Sequence, residues 1–327
     1  MKRRWPTVAV VIPNHSRVQE LLEAVSSVAM QRYEGTVRSY VVYRPRAGIE
    51  ELLSGLQGVV ALPSADEIGR NSIAVKRNIG LQACTEELVA FLDDDDVWHP
   101  LKLLIQVNAL QNQGSNIAVC SRPIYFSSSP IWTKKSIDKR FRDLSTYQVV
   151  SGRSVGTSSL LVDGETARQL QFDERPDWLA LEDYDFKIRL AQRCIIRRVQ
   201  GKMTAYRSDN RSVSVEESRY TLLRALSVLA ASAERDINKR GPQVVALRLL
   251  IVSAFGGFGS IQESHGSTDP VSEEILERVL DGRLFGRLDT LLSRTVRTGW
   301  RRGWTARPLR FVIRAMRSGA TRILRKG

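Results

Sequence analysis

Short apolar runs alternate with amphipathic stretches through the first third of the chain. TVAVVI, RSYVVY, VVAL and ELVAFL read as strands, and the apolar spacing between and after them predicts helices over residues 17–31, 49–56, 73–83 and 100–113. Strands alternating with helices of this length imply right-handed βαβ units and a parallel, doubly wound α/β sheet, whose ligands bind at the carboxyl ends of the strands. A further apolar run, NIAVCSRPIYF, is followed by the Ser- and Lys-rich SSSPIWTKKS, which reads as an exposed loop. TSSLLV predicts another strand, and a helix is expected from about Glu182. From about residue 218 the pattern is helical, with breaks at Gly241-Pro242 and ESHGSTDP, so a domain boundary is expected near residue 215, dividing 1–215 from 216–327.

Composition narrows the class without naming a function. At 327 residues with 43% hydrophobic content, the chain can fill a sizeable core. Cys84, Cys120 and Cys194 are odd in number and lack metal-ligand spacing, which predicts reduced, mostly buried thiols and fits a cytoplasmic setting. The apolar part of MKRRWPTVAVVIP is too short for a secretion signal. VVALRLLIVSAFGGFG, from Val244, is broken by Arg248 and by glycines and falls short of a bilayer span. The net charge of +14 is concentrated late, because residues 297–327 carry ten Lys or Arg and no acid.

The candidate chemistry centres on FLDDDDVWHP, residues 91–100, where four carboxylates follow an apolar run. They fall where the fourth strand ends, so strand alternation predicts that Asp93 and Asp95 point together while Asp94 and Asp96 point the other way. Like charges so close raise one another's pKa unless a cation intervenes, and Mg2+ or Mn2+ is characteristically held by one or two carboxylates with substrate phosphates completing the shell. The structural alternative is a solvated turn, with Asp96 capping the helix that Pro100 opens.

The order VAVVIPNHSR, KRNIGLQACTEELVAFLDDDDVWHPLKL, GTSSLLV, FDE and EDYDFKIRLAQR resembles the inverting family 2 glycosyltransferases of GT-A fold, over roughly residues 6–212. The resemblance implies a mixed, mainly parallel sheet with helices on both faces, and a metal-dependent sugar transfer from a nucleotide-diphosphate donor to an acceptor hydroxyl. On the matching positions it makes Asp95 the direct metal ligand, Asp93 an auxiliary one and Asp94 a donor neighbour. It places the Glu-Asp pair of the family on Glu182 and Asp183, with Asp183 as general base. An Asp at a helix start is also an ordinary N-cap. Asp185 and Lys187 read as helix-surface residues. Pro13, Asn14 and Arg17 fall in the turn that cradles the nucleoside, and Arg77, beside Lys76 and Asn78, matches the Arg-Asn before Gly80. For Lys76 an exposed helical charge pair is an equal reading. The chain departs from the family twice. Tyr43 and Arg44 stand where an Asp reads the base, making Arg44 a donor candidate. After Tyr206 and Arg207, Asp209 either substitutes as a metal-side ligand for the usual histidine or the contact is absent.

Residues 307–327 place Leu309, Val312, Ile313, Met316 and Ile323 at helical spacing opposite Arg310, Arg314, Arg317 and Arg325. With Trp300 and Trp304 upstream this reads as a basic amphipathic helix for an anionic membrane surface at the inner face of the plasma membrane, or as a helix packed on its own protein. No nucleic-acid recognition motif accompanies the charge. The expected acceptor is a glycan or glycolipid of cell-surface polysaccharide assembly. The competing functions are a non-catalytic sugar-nucleotide-binding module and a nucleotidyltransferase, the latter disfavoured because PNHSR lacks a phosphate-loop glycine.

Overall fold

The structure, a computed structural model, describes residues 4–65, 72–110, 116–145, 148–149, 155–175 and 181–208. The chain divides after Ser212, and every described residue lies in the first of its two units. The expected boundary near 215, the helical region beyond it, Asp209 and the basic tail all lie outside the described residues.

Strand β1, Val8–Asn14, is buried along its whole length. Its alternate residues enter two cores, Val8, Val10 and Ile12 on one face and Ala9 and Val11 on the other, the reason its sequence is continuously apolar. Helix α1 is Val18–Ala29, β2 is Val37–Tyr43, α2 is Ile49–Ser54 and β3 is Val59–Pro63. Helix α3, Ser72–Ala83, crosses β1 so closely that a Cβ on Gly80 would lie 2.5 Å from Val11 Cγ1. Strand β4, Leu88–Phe91, joins β1 in parallel. The parallel set β3-β2-β1-β4 is therefore the half that the apolar pattern predicts.

The second half is mixed. Short β5, Val97–Trp98, precedes α4, Lys102–Leu110, and β6, Ile117–Phe126. Next come β7, Phe141–Leu144, and β8, Leu161–Asp163, antiparallel to both β4 and β6. Helix α5, Gly164–Leu170, and helix α6, Glu182–Arg193, lead to β9, Ile195–Arg207, the longest strand. The sheet order is β3-β2-β1-β4-β8-β6-β9-β5, with β7 paired to β9. TSSLLV is only partly a strand, because Thr157–Ser159 forms a 3-10 turn before β8 begins. The three cysteines are free and buried, as expected, and burial pushes the Cys120 thiol up to about 12.

Burial of charge is where the hydrophobic pattern misleads. Lys102 is fully buried, its Nζ 2.7 Å from Gln106 Oε1 and 3.8 Å from the centre of the Trp98 ring. Burial holds its pKa well below that of an ordinary lysine. Between that depressed value and the unfolded lysine value of about 10.4, the unfolded chain binds more protons than the fold, so stability attributable to Lys102 rises with pH. Denaturant titrations at several pH values above neutrality should show wild-type stability gaining on that of Lys102→Met as pH rises. Parallel curves would show that Lys102 is charged in the fold.

Candidate active site

The four aspartates do not extend β4. They form a turn in which the Asp96 amide donates to the Asp93 carbonyl at 3.1 Å, since neighbouring carboxylates separate better on a turn, where Asp is also locally favoured. The alternation of Asp93 with Asp95 across a strand is thus replaced by a fan, each carboxylate taken by a different element. Arg77 of α3 donates to Asp93 Oδ1 at 2.8 Å. Asn14, at the end of β1, donates its Nδ2 to Asp94 Oδ2 at 2.7 Å, and the His15 amide reaches the same oxygen at 3.4 Å. Arg17 pairs with Asp95 Oδ2. Asp96 is buried and accepts the Arg207 amide of β9 at 3.3 Å, so it ties the turn to the sheet instead of capping α4.

The fan is electrostatically strained. Burial, then Asp95, pushes Asp94 up to about 6; burial and Asp93 raise Asp95 despite Arg17; burial and Asp93 lift Asp96 well above the carboxylate range. Asp93 and Asp95 keep 35% and 25% of their side-chain surface exposed, so a cation can reach them. Among the described residues no three ligating side chains already converge on one point. Two reachable neighbouring carboxylates suit a hard divalent cation that draws its other ligands from phosphate and water.

Helix α6 brings the second set of acids. Glu182 is buried and accepts Arg77 Nη1 at 2.8 Å, so a single guanidinium joins the acidic turn to the start of α6, with its Cζ 5.1 Å from the Phe172 ring centre. Asp183 Oδ2 accepts Lys187 Nζ at 2.6 Å and Thr157 Oγ1 at 3.0 Å. Burial works against its charge, but Lys187 and then Arg77 outweigh burial and hold its pKa below the ordinary aspartate value. Ser158, the next residue of the 3-10 turn, accepts the Asp93 amide at 3.1 Å. Asp183 is therefore ionised at neutral pH.

Several site neighbours escaped the sequence reading. Asp185 and Lys187 are buried, not on the helix surface: Lys187 pairs with Asp183, and Asp185 pairs with Arg189 at 2.7 Å, which itself donates to the carbonyl of Gln171 at 2.8 Å. Lys76 is buried as well, which removes the exposed-pair reading. Asn78 clamps the FDE segment, donating to Phe172 O at 2.9 Å and Glu174 Oε1 at 2.8 Å. Pro13 lies inside β1 opposite Val42, and Arg44 is exposed just beyond β2. Arg46, which the sequence reading passed over, reaches the β1 turn, donating to His15 O at 2.9 Å and Asn14 Oδ1 at 3.0 Å. If the chain binds the nucleotide donor that the resemblance implies, Arg46→Gln is expected to weaken that binding in calorimetry more than Arg44→Gln does, because Arg46 holds the Asn14 side chain that bonds Asp94. Equal losses would deny Arg46 that role.

A parallel half-sheet ending in an acidic turn, completed by a mixed half that supplies a buried carboxylate helix, defines the GT-A class of folds. The chain shares this fold with S. aureus TarS 1-349, solved in complex with UDP-GlcNAc and in complex with UDP, each at 14% identity and a TM-score of 0.58 and covering 91% of this chain and 92% of that one. Residues 67–163 match the family described as Glycosyl transferase family 2. Amylovoran biosynthesis glycosyltransferase AmsB of Erwinia amylovora is 28% identical over 123 residues, which are 35% of this chain and 39% of that protein. The match thus spans about two fifths of the curated relative's length.

Proposed function

We propose that the protein is an inverting glycosyltransferase that moves a sugar from a nucleotide-diphosphate donor to a hydroxyl of a glycan or glycolipid acceptor in cell-surface polysaccharide assembly. The observation that carries this reading is the meeting of the acidic turn and the start of α6 through Arg77 and the turn at residues 157–159. It sets a cation-seeking pair of carboxylates beside a separate, ionised one. The name of the AmsB relative and the nucleotide ligands of the TarS structures support the substrate classes.

In this reading Asn14, Arg17, Arg46 and Asp94, with the backbone at Pro13, bind the nucleotide side of the donor, while Arg44 stands at the rim of that pocket. Asp95, helped by Asp93, would hold Mn2+ or Mg2+, and the bound ion would neutralise charge on the departing diphosphate. Asp183 takes the proton of the attacking hydroxyl. Its Oδ2 is occupied by Lys187 and Thr157, so Oδ1 faces the nucleophile. Glu182 keeps Arg77 oriented. We assign the catalytic domain to residues 1–215 and membrane-surface association to 216–327. Among the described residues no helix is long and apolar enough to cross a membrane.

The test is a thermal-shift screen of nucleoside diphosphates and nucleotide sugars with and without Mn2+, followed by transfer assays with the best donor. A metal-dependent rise in melting temperature, scaling as RT ln(1 + [L]/Kd), is expected for one base. If no nucleotide stabilises the protein, the donor reading fails; if one binds but is never turned over, the non-catalytic module is the better account.

A further inference from the structure

Away from the acidic turn, three neighbouring strands put like charges opposite one another. In the β9–β7 register Arg198 faces Arg142, and in the β6–β9 register Arg122 faces Lys202. Side chains directly across a ladder stand roughly 5 Å apart at Cβ, and like charges in that position destabilise the sheet. The nearby acids are already engaged. Asp143 binds Arg197 at 2.7 and 3.1 Å, and Asp138 binds Arg140 at 2.7 Å. Arg198 Nε is buried with no hydrogen-bond partner among the described residues. Burial, then Arg142 and Arg122, lowers the pKa of Arg198, with the Cys120 thiol as its one offsetting neighbour.

The cluster has a definite place relative to the site. Strands β6, β9 and β7 lie on the far side of β4 from β1, β2 and β3, hence on the side away from the nucleotide residues. Arg122 precedes Tyr125 by three positions on β6, about 10 Å at the rise of a strand, and the two side chains leave opposite faces of it. Tyr125 packs on Tyr206 with ring centres 6.0 Å apart. The Tyr206 hydroxyl abuts Gly156, where a Cβ would lie 1.8 Å from it, and Thr157 follows with its bond to Asp183.

We propose that Arg122, Arg142, Arg198 and Lys202 form a binding site for a phosphate group carried by the acceptor, a proposal that rests on the transfer reading above. Phosphate is favoured over a carboxylate because several unneutralised cations from three strands suit a multivalent tetrahedral oxyanion, and guanidinium forks bind it bidentately.

Melting of the full-length protein, with no donor present, tests the site independently of turnover. The probes are glycerol phosphate, inorganic phosphate and glycerol, each at ionic strength matched with NaCl. Both phosphates should stabilise wild type and glycerol should not, and Arg142→Gln/Arg198→Gln should weaken the phosphate response at least tenfold in apparent affinity. In chloride alone the double variant should melt no lower than wild type, because it loses repulsion and, among the described residues, no hydrogen-bonded or ion-paired partner. An unchanged phosphate response in the variant would overturn the site, as would a lower melting point in chloride. Stabilisation by inorganic phosphate without glycerol phosphate would overturn the acceptor assignment. Failure of transfer with an intact phosphate response would count against the transfer reading and leave the site standing.

Discussion

Asp183→Asn is expected to lower kcat for sugar transfer by about 10²- to 10⁴-fold, the range typical of losing a positioned general base, while KM for the donor changes little. The amide keeps the size of the carboxylate and can still accept from Thr157 and Lys187, so the fold should survive; near-identical melting curves would establish this. Steady-state kinetics with the donor found by screening are the measurement, and a variant with wild-type kcat would remove Asp183 from the chemistry. Lys187 supplies a pH readout of the same idea. It is the chief cause lowering the pKa of Asp183, so Lys187→Met should move the acidic limb of the kcat profile to higher pH. The sign follows from linkage: a carboxylate without its cation takes up its proton at higher pH.

Arg77→Met should be the most destabilising single change in the described site. Arg77 and Glu182 each expose only 5% of their side-chain surface, so removing the guanidinium leaves a buried carboxylate without its chief counter-charge and frees Asp93 as well. Breaking a buried pair from one side costs about 3–5 kcal/mol. For a domain of about 200 residues this corresponds to a melting-temperature drop of roughly 6–20 °C. Calorimetry on Arg77→Met and on Arg77→Met/Glu182→Gln separates the causes. The double variant should recover much of the loss, since the neutral amide no longer needs a cation. If the double variant is as unstable as the single one, lost packing against Phe172 is the cause, not the orphaned charge.

The parallel half of the sheet was legible because each of its strands carries its own apolar signature. β1 and β4 are buried on both faces, and their runs admit no polar interruption. β9 was not legible. IIRRVQGKMTAYR mixes charge with apolar residues because it pairs with three partners and slips register near Ser121 and Arg122, so no single alternation holds along it. The site was readable in residue identity and less so in geometry. Asp93, Asp94, Asp95, Glu182 and Asp183 do gather, but that Arg77 bridges two of them depends on α3 and α6 meeting 105 positions apart. A pattern that assigns charge to the surface placed Asp185 and Lys187 outward; here the polar first turn of α6 faces inward, Asp183 and Asp185 each pairing with a cation one turn later. The choice between Arg44 and Arg46 hangs on a loop whose Gly48 adopts φ 75°, a bend not evident from the spacing.

The three-residue turn at 157–159 has a mechanical consequence. Thr157 holds the carboxylate on α6 and Ser158 holds the backbone of the acidic turn, so consecutive residues span the gap between the proposed base and the carboxylates proposed to face the diphosphate. The turn is a gauge block: because both grips belong to neighbouring residues of one 3-10 turn, the span between the two groups is set locally and not across the sheet.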